Sequence, residues 1–214
     1  MKGGMNVEET YYRGAKSFDL WLRLVESHTR KMQVEDSSHR DSQALIISAP
    51  TDCGIPLVAQ ARRDAETNLL CFSDRTARIA TEYCARHGSE IVKVKVAPFF
   101  RIPFGDSHFS TVYANCFFDF CLERDPDSIL DEIRRVLRVD GSLLTVNMAG
   151  GSTAPARTWL WVLRRLSLAG KGLHPIDTAP RIGQRGFRIV KDRSVNRFGF
   201  PMNYTHAKKL ATDV

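Results

Sequence analysis

Long apolar runs are missing from this chain of 214 residues. None approaches the roughly 20 residues that a helix needs to cross a bilayer, and the first nine residues hold no apolar core of a signal peptide. A cytoplasmic protein is therefore expected, with attachment to a membrane surface as the alternative. Cysteine is sparse too. The five residues Cys53, Cys71, Cys84, Cys116 and Cys121 are odd in number, scattered and never in a C-x-x-C pair, which argues against a disulfide framework and against a structural zinc site. The six histidines (His28, His39, His87, His108, His174, His206) show no metal-ligand spacing, so no metal is expected. There is no internal repeat and no low-complexity tract. Acidic residues are scarce in one region only: residues 151–214 hold twelve Lys/Arg against three Asp/Glu, whereas residues 1–150 hold nineteen against twenty-one. The net charge of +7 thus belongs to the C-terminal third, where it suits an acidic partner protein or anionic lipid. Nucleic acid is disfavoured, because neither a recognition helix nor a regular array of stacking aromatics accompanies the charge.

With 43% hydrophobic residues, the chain can build one well-buried core. A single domain over residues 1–214 is predicted, made of a helical extension (1–43) and an α/β core (44–214). In the extension, Phe18, Trp21 and Val25 share one face of a helix over residues 11–34, a face that the parent domain or another chain must cover. A polar linker over residues 35–42 follows. Strand-length apolar runs then recur at 44–48, 68–72, 91–96, 109–115 and 142–147, separated by helix-like periodicity, and this alternation predicts a parallel sheet with helices on both faces. Residues 187–195 and 202–210 are expected to finish it as an antiparallel pair. The clearest helix precedes the fifth run: Asp125-Pro126-Asp127 supplies a cap and a first-turn proline, Ile129, Ile133, Val136 and Leu137 form one stripe, and Gly141 is expected to stop it. A further helix over 156–168 sets Arg157, Trp161, Arg164 and Arg165 opposite an apolar stripe, a face suited to lipid headgroups or an acidic protein.

Three pieces carry a resemblance: Ile102-Pro103-Phe104, the run at 109–115, and the segment from Glu132 to Gly141 with Val139-Asp140-Gly141 at its turn. In order and spacing they resemble the second half of class I S-adenosylmethionine-dependent methyltransferases, of the ubiquinone/menaquinone-biosynthesis-like group (methyltransferase type 11). The resemblance implies a Rossmann-like, mostly parallel seven-stranded sheet with helices on both faces. It also implies a glycine loop after the first strand and carboxylates after the second and third that hold the cofactor. Here those positions differ. Ile46 falls at the acidic position of the first strand, and Ser48, Pro50 and Asp52 fall at the three glycines. Proline fixes φ negative and removes an N–H, and Asp52 places an anion near the cofactor's own carboxylate. Cys71, a poor acceptor, stands where a carboxylate would hold the ribose hydroxyls, and Pro98 stands where one would hold the adenine amino group. Asp74 is expected to cap the helix over 75–86, and Phe99 and Phe100 to fill the cleft. His108 is a candidate general base, and Asn115 to Asp119 match the strand end and loop that face substrate in related enzymes.

These departures lead to two expectations. The first is a methyltransferase-like protein that needs no cofactor as an isolated chain and serves as the non-catalytic partner of an active methyltransferase paralogue in a heteromer. The alternative is an active S-adenosylmethionine-dependent methyltransferase of a small molecule, quinone or lipid.

Overall fold

The inner strands are buried along their whole length because both of their faces are covered. In the computed structural model, which describes residues 28–37, 42–98, 100–120, 126–149, 158, 161, 177–197 and 200–211, β1 (Ala44–Ile47), β2 (Thr67–Cys71) and β4 (Phe109–Asn115) are buried at every position. With β3 (Val92–Val96), β5 (Leu137–Met148), β6 (Phe187–Arg197) and β7 (Phe200–Lys209) they form a seven-stranded sheet of order β3-β2-β1-β4-β5-β7-β6. The first five strands run parallel, and β7 is antiparallel to both β5 and β6. The predicted C-terminal antiparallel pair is thus present at the β5 side of the sheet.

Alternation along the strands feeds two cores. On one face Ile46, Leu69, Tyr113, Leu144 and Tyr204 pack against α2 (Gly54–Ala61) and α3 (Asp74–Arg86), with Met32 and Val34 of α1 (residues 28–36) beside them. On the other face Leu45, Val112, Leu143 and Ala207 meet α4 (Pro126–Val136) and Ile182 of α5 (Thr178–Gln184). The right-handed crossovers of a parallel sheet place consecutive helices this way around a strand pair whose order reverses.

Three local expectations are corrected. Ser73, not Asp74, caps α3: its hydroxyl accepts the Thr76 N–H, and the Thr76 side chain accepts the Ser73 N–H, a complete capping box. Asp74 is the first helical residue, where its charge suits the helix dipole. Gly141 does not stop α4, which ends at Val136; the glycine lies inside β5. A Cβ there would lie 2.8 Å from the Arg138 carbonyl oxygen, so close backbone passage is the reason for glycine, and Asp140 takes the left-handed turn at φ 58°. Finally, the polar linker starts later than expected, because Glu35 and Asp36 are still helical. Asp36 is an anchor: its carboxylate accepts hydrogen bonds from Lys191 and from the Tyr204 hydroxyl. Burial alone would raise its pKa, but those two donors hold it below the ordinary carboxylate value.

The apolar face of Phe18, Trp21 and Val25 lies outside the described residues, as do Asp125, Arg157, Arg164 and Arg165. Trp161 is described and exposed. Among the described residues, no helix is long and apolar enough to cross a membrane.

Candidate functional site

The chain after β1 crosses to one face of the sheet and the chain after β4 to the other, so a crevice opens beyond the carboxyl ends of these neighbouring strands. Open α/β sheets bind ligands at such a switch point. Its walls here are the segment Ser48 to Cys53 from β1, the first turn of α2, and Asn115-Cys116 from β4.

The β1 segment builds its turns without glycine. The Asp52 N–H donates to the Ala49 carbonyl at 3.1 Å, and the Ile55 N–H donates to the Asp52 carbonyl at 3.1 Å, leading the chain into α2. No residue from 48 to 53 has positive φ, and Pro50 is buried within the turn. Asp52 is buried, and its Oδ1 accepts the Gly54 N–H at 2.5 Å. The Cys53 side chain makes no cap hydrogen bond, so Asp52 serves that end of α2.

A second element enters from above. Arg30 of α1 donates from Nε to Asp52 Oδ1 at 3.2 Å, and its Nη2 lies 3.1 Å from Oδ2, a two-pronged ion pair with side chains only 1% and 3% exposed. The approach is close enough that a Cβ on Gly54 would lie 2.9 Å from Asp52 Oδ1 and 3.0 Å from Arg30 Cδ. One turn further along α1, Gln33 donates from Nε2 to Asn115 Oδ1 at 2.7 Å and to the Leu144 carbonyl at 3.2 Å. Ser37 then takes hydrogen bonds from Arg62 at 3.1 Å and from the Tyr113 hydroxyl at 2.7 Å. Thr29, Arg30, Gln33 and Ser37 are all buried, so α1 closes the crevice with a polar inward face matched to the groups beneath it.

The other singled-out positions are spread around this plug. Ile46 packs in the apolar core among Ala44, Leu69 and Tyr113. Cys71 lies in the same core at 2% exposure, and burial pushes its thiol up to about 12 while a hydrogen bond from Thr76 works against the rise. Ser48 is buried with its hydroxyl on the Ala49 carbonyl, and Pro98 is exposed on the loop after β3. Phe117 and Phe118 are core residues, whereas Phe100 is half exposed and does not fill the crevice; Phe99 lies outside the described residues. His108 stacks on Phe104 at the opposite end of β4 from Asn115, about 20 Å away at the usual rise of a strand. Among the described residues, no group of His, Cys, Asp and Glu could hold a metal.

Sequence reasoning singled out Asp52 but missed its partner Arg30. Thr29, Gln33 and Ser37 recur every fourth residue and Arg30 is three before Gln33, a polar stripe that reads as solvent-facing until Asp52 and Asn115 are brought against it.

A separate cleft of about 610 Å³ runs between residues 97–105 and α4. Its polar wall is already engaged: Arg135 binds Glu132 and Asp106 and donates to the carbonyls of Ile102 and Phe104, while Glu132 accepts the Ile102 N–H. The hydrogen bonds from Arg135 hold Glu132 below the ordinary carboxylate range. This clamp fixes the Ile102-Pro103-Phe104 segment against α4.

The strand order and helix placement define a class I methyltransferase fold. Residues 53–145 match the family model described as "Methyltransferase domain". No curated protein matches the sequence. Among solved structures, a chain from the complex between the Haloferax volcanii methyltransferase activator Trm112 and a protein described as a methyltransferase is similar at 14% identity, covering 95% of this chain and 98% of that one with a TM-score of 0.74. A methyltransferase of Aquifex aeolicus described as dependent on S-adenosylmethionine gives 14% identity, 95% and 98% coverage, and a TM-score of 0.64. The cyclase SpnF gives 15% identity, 86% and 81% coverage, and a TM-score of 0.67. One fold thus serves more than one chemistry, and function has to be argued from the site.

Thiol labelling checks the core placement of Cys71. In the native protein at neutral pH, iodoacetamide is expected to modify the half-buried Cys53 and to spare Cys71, Cys84 and Cys116, which should react only after unfolding. Peptide mass spectrometry reads the sites, and rapid native labelling of Cys71 would contradict its burial.

Proposed function

We propose that this chain is a non-catalytic methyltransferase-fold subunit that binds an active methyltransferase and stabilises or activates it. The observation that carries the reading is the Arg30–Asp52 pair seated on the first turn of α2, where the resemblance puts the amino-acid end of S-adenosylmethionine. A bound cofactor there would have to displace a buried, two-pronged charge pair, and would leave Asp52 facing its carboxylate. The remaining anchors supply nothing in exchange. Ile46 has no polar atom on its side chain, Cys71 is a protonated thiol in the core, and Pro98 has no carboxylate. The residues present do not fit the cofactor, whereas the rigid fold that survives is what a partner subunit needs. The Haloferax volcanii complex supports the reading to this extent: a protein of similar fold occurs in an assembly that includes a methyltransferase activator.

Co-expression with a methyltransferase whose glycine loop is intact tests the proposal. The two chains are expected to co-elute on size exclusion, and the partner's methyl-transfer rate or melting temperature is expected to fall when this chain is omitted. A monomer that leaves the rate and stability of every such partner unchanged rules against it.

A further inference from the structure

The far edge of the sheet carries a charge pattern that the described residues answer only at Lys191. On the face shared with α1, β6 and β7 set Arg188 directly opposite Lys208, Lys191 opposite His206, and Arg193 opposite Tyr204. Like charges directly opposite each other on a sheet are destabilising. Asp36 answers only Lys191; Arg188 and Arg193 are exposed, and no carboxylate among the described residues pairs with either or with Lys208. Burial keeps His206 from contributing further positive charge, since it lowers the imidazole pKa although Asp36 works the other way.

β6 is also the last strand of the sheet, eleven residues long, with its outward N–H and C=O groups unpaired by any described strand. A bulge between Ile189 and Lys191 turns Val190 out to 45% exposure beside the arginines. We propose that the β6 edge docks an extended acidic segment of the partner protein, which adds as a strand and sets carboxylates at every second residue against Arg188 and Arg193. Both arginines fit one such segment, because they lie about 16 Å apart at the usual rise of a strand. The edge itself selects a polypeptide. Its carbonyls need donors as much as its N–H groups need acceptors, and a phosphodiester or a lipid phosphate offers acceptors alone. The same charges repel a second copy of this basic edge, so the pairing is with a different chain. The opposite edge is a poorer site: β3 is five residues long, and Glu66 already engages its Lys93.

This inference rests on the partner-subunit reading and names its contact surface. The test uses the full chain and a fluorescein-labelled synthetic peptide of about ten residues in which glutamate alternates with threonine, a composition that favours an extended strand. Anisotropy is expected to show saturable binding that weakens as salt rises from about 50 to about 500 mM. It should weaken at least about tenfold in the Arg188→Glu/Arg193→Glu double variant. Should that variant melt early, Arg188→Gln/Arg193→Gln serves instead and is expected to lose affinity by a smaller factor without loss of melting temperature. Absence of binding, binding indifferent to both variants, or equal competition by a single-stranded oligonucleotide or phosphatidylserine vesicles overturns the proposal. A methyltransferase complex that forms but ignores the variants refutes this surface and leaves the partner role standing; peptide binding without any such complex does the reverse.

Discussion

Replacing Arg30 by alanine is expected to destabilise the protein by about 3–5 kcal/mol, because it strands the buried Asp52 carboxylate without its countercharge. For a domain of this size that corresponds to a fall in melting temperature of about 6–20 °C. Asp52→Ala should cost a similar amount, since it leaves the Arg30 guanidinium facing an apolar methyl and removes the acceptor of the Gly54 N–H. The double variant Arg30→Met/Asp52→Ala should lie closer to the wild type than the sum of the two singles, the mark of a coupled pair. Lys93→Ala breaks an ion pair too, but Lys93 is 58% exposed, and a change within about 1 kcal/mol is expected. If α1 opens locally before the sheet unfolds, the penalty appears as faster amide exchange over residues 30–36. Unchanged melting together with unchanged exchange in Arg30→Ala would show that α1 does not close the crevice.

The strands were legible because an inner parallel strand, covered on both faces, is mostly apolar, and runs such as Ala44 to Ile47 read as strands once helical segments alternate with them. The Ile102-Pro103-Phe104 segment and the helix from Glu132 onward were legible by resemblance, and the Arg135 clamp supplies their physical link. The boundary between α4 and β5 was not legible. Leu137 continues the helical stripe of Ile129, Ile133 and Val136, so periodicity cannot mark where the chain leaves the helix to pair with Phe109. The cap of α3 escaped for a similar reason, since Ser73 and Asp74 are both good caps and only Thr76 three residues after Ser73 decides between them. At the site, Pro50, Asp52 and Cys71 were legible as departures from the cofactor pattern that the resemblance implies. The contacts there depend on Arg30 meeting Asp52 and Gln33 meeting Asn115, 22 and 82 residues further along the chain, and no local pattern encodes such a meeting.

The isolated chain is expected to give no saturable heat with S-adenosylmethionine. Micromolar affinity corresponds to about −8 kcal/mol, and the contacts that would supply it are replaced by a core isoleucine, a protonated core thiol, an exposed proline and a loop whose carboxylate is already paired. Displacing Arg30 would expose Asp52 to the ligand's own carboxylate and so weaken binding further. Calorimetric titration of the purified chain with S-adenosylmethionine tests this most directly: a flat titration is the predicted result, and a saturable curve with micromolar affinity would contradict the non-catalytic role.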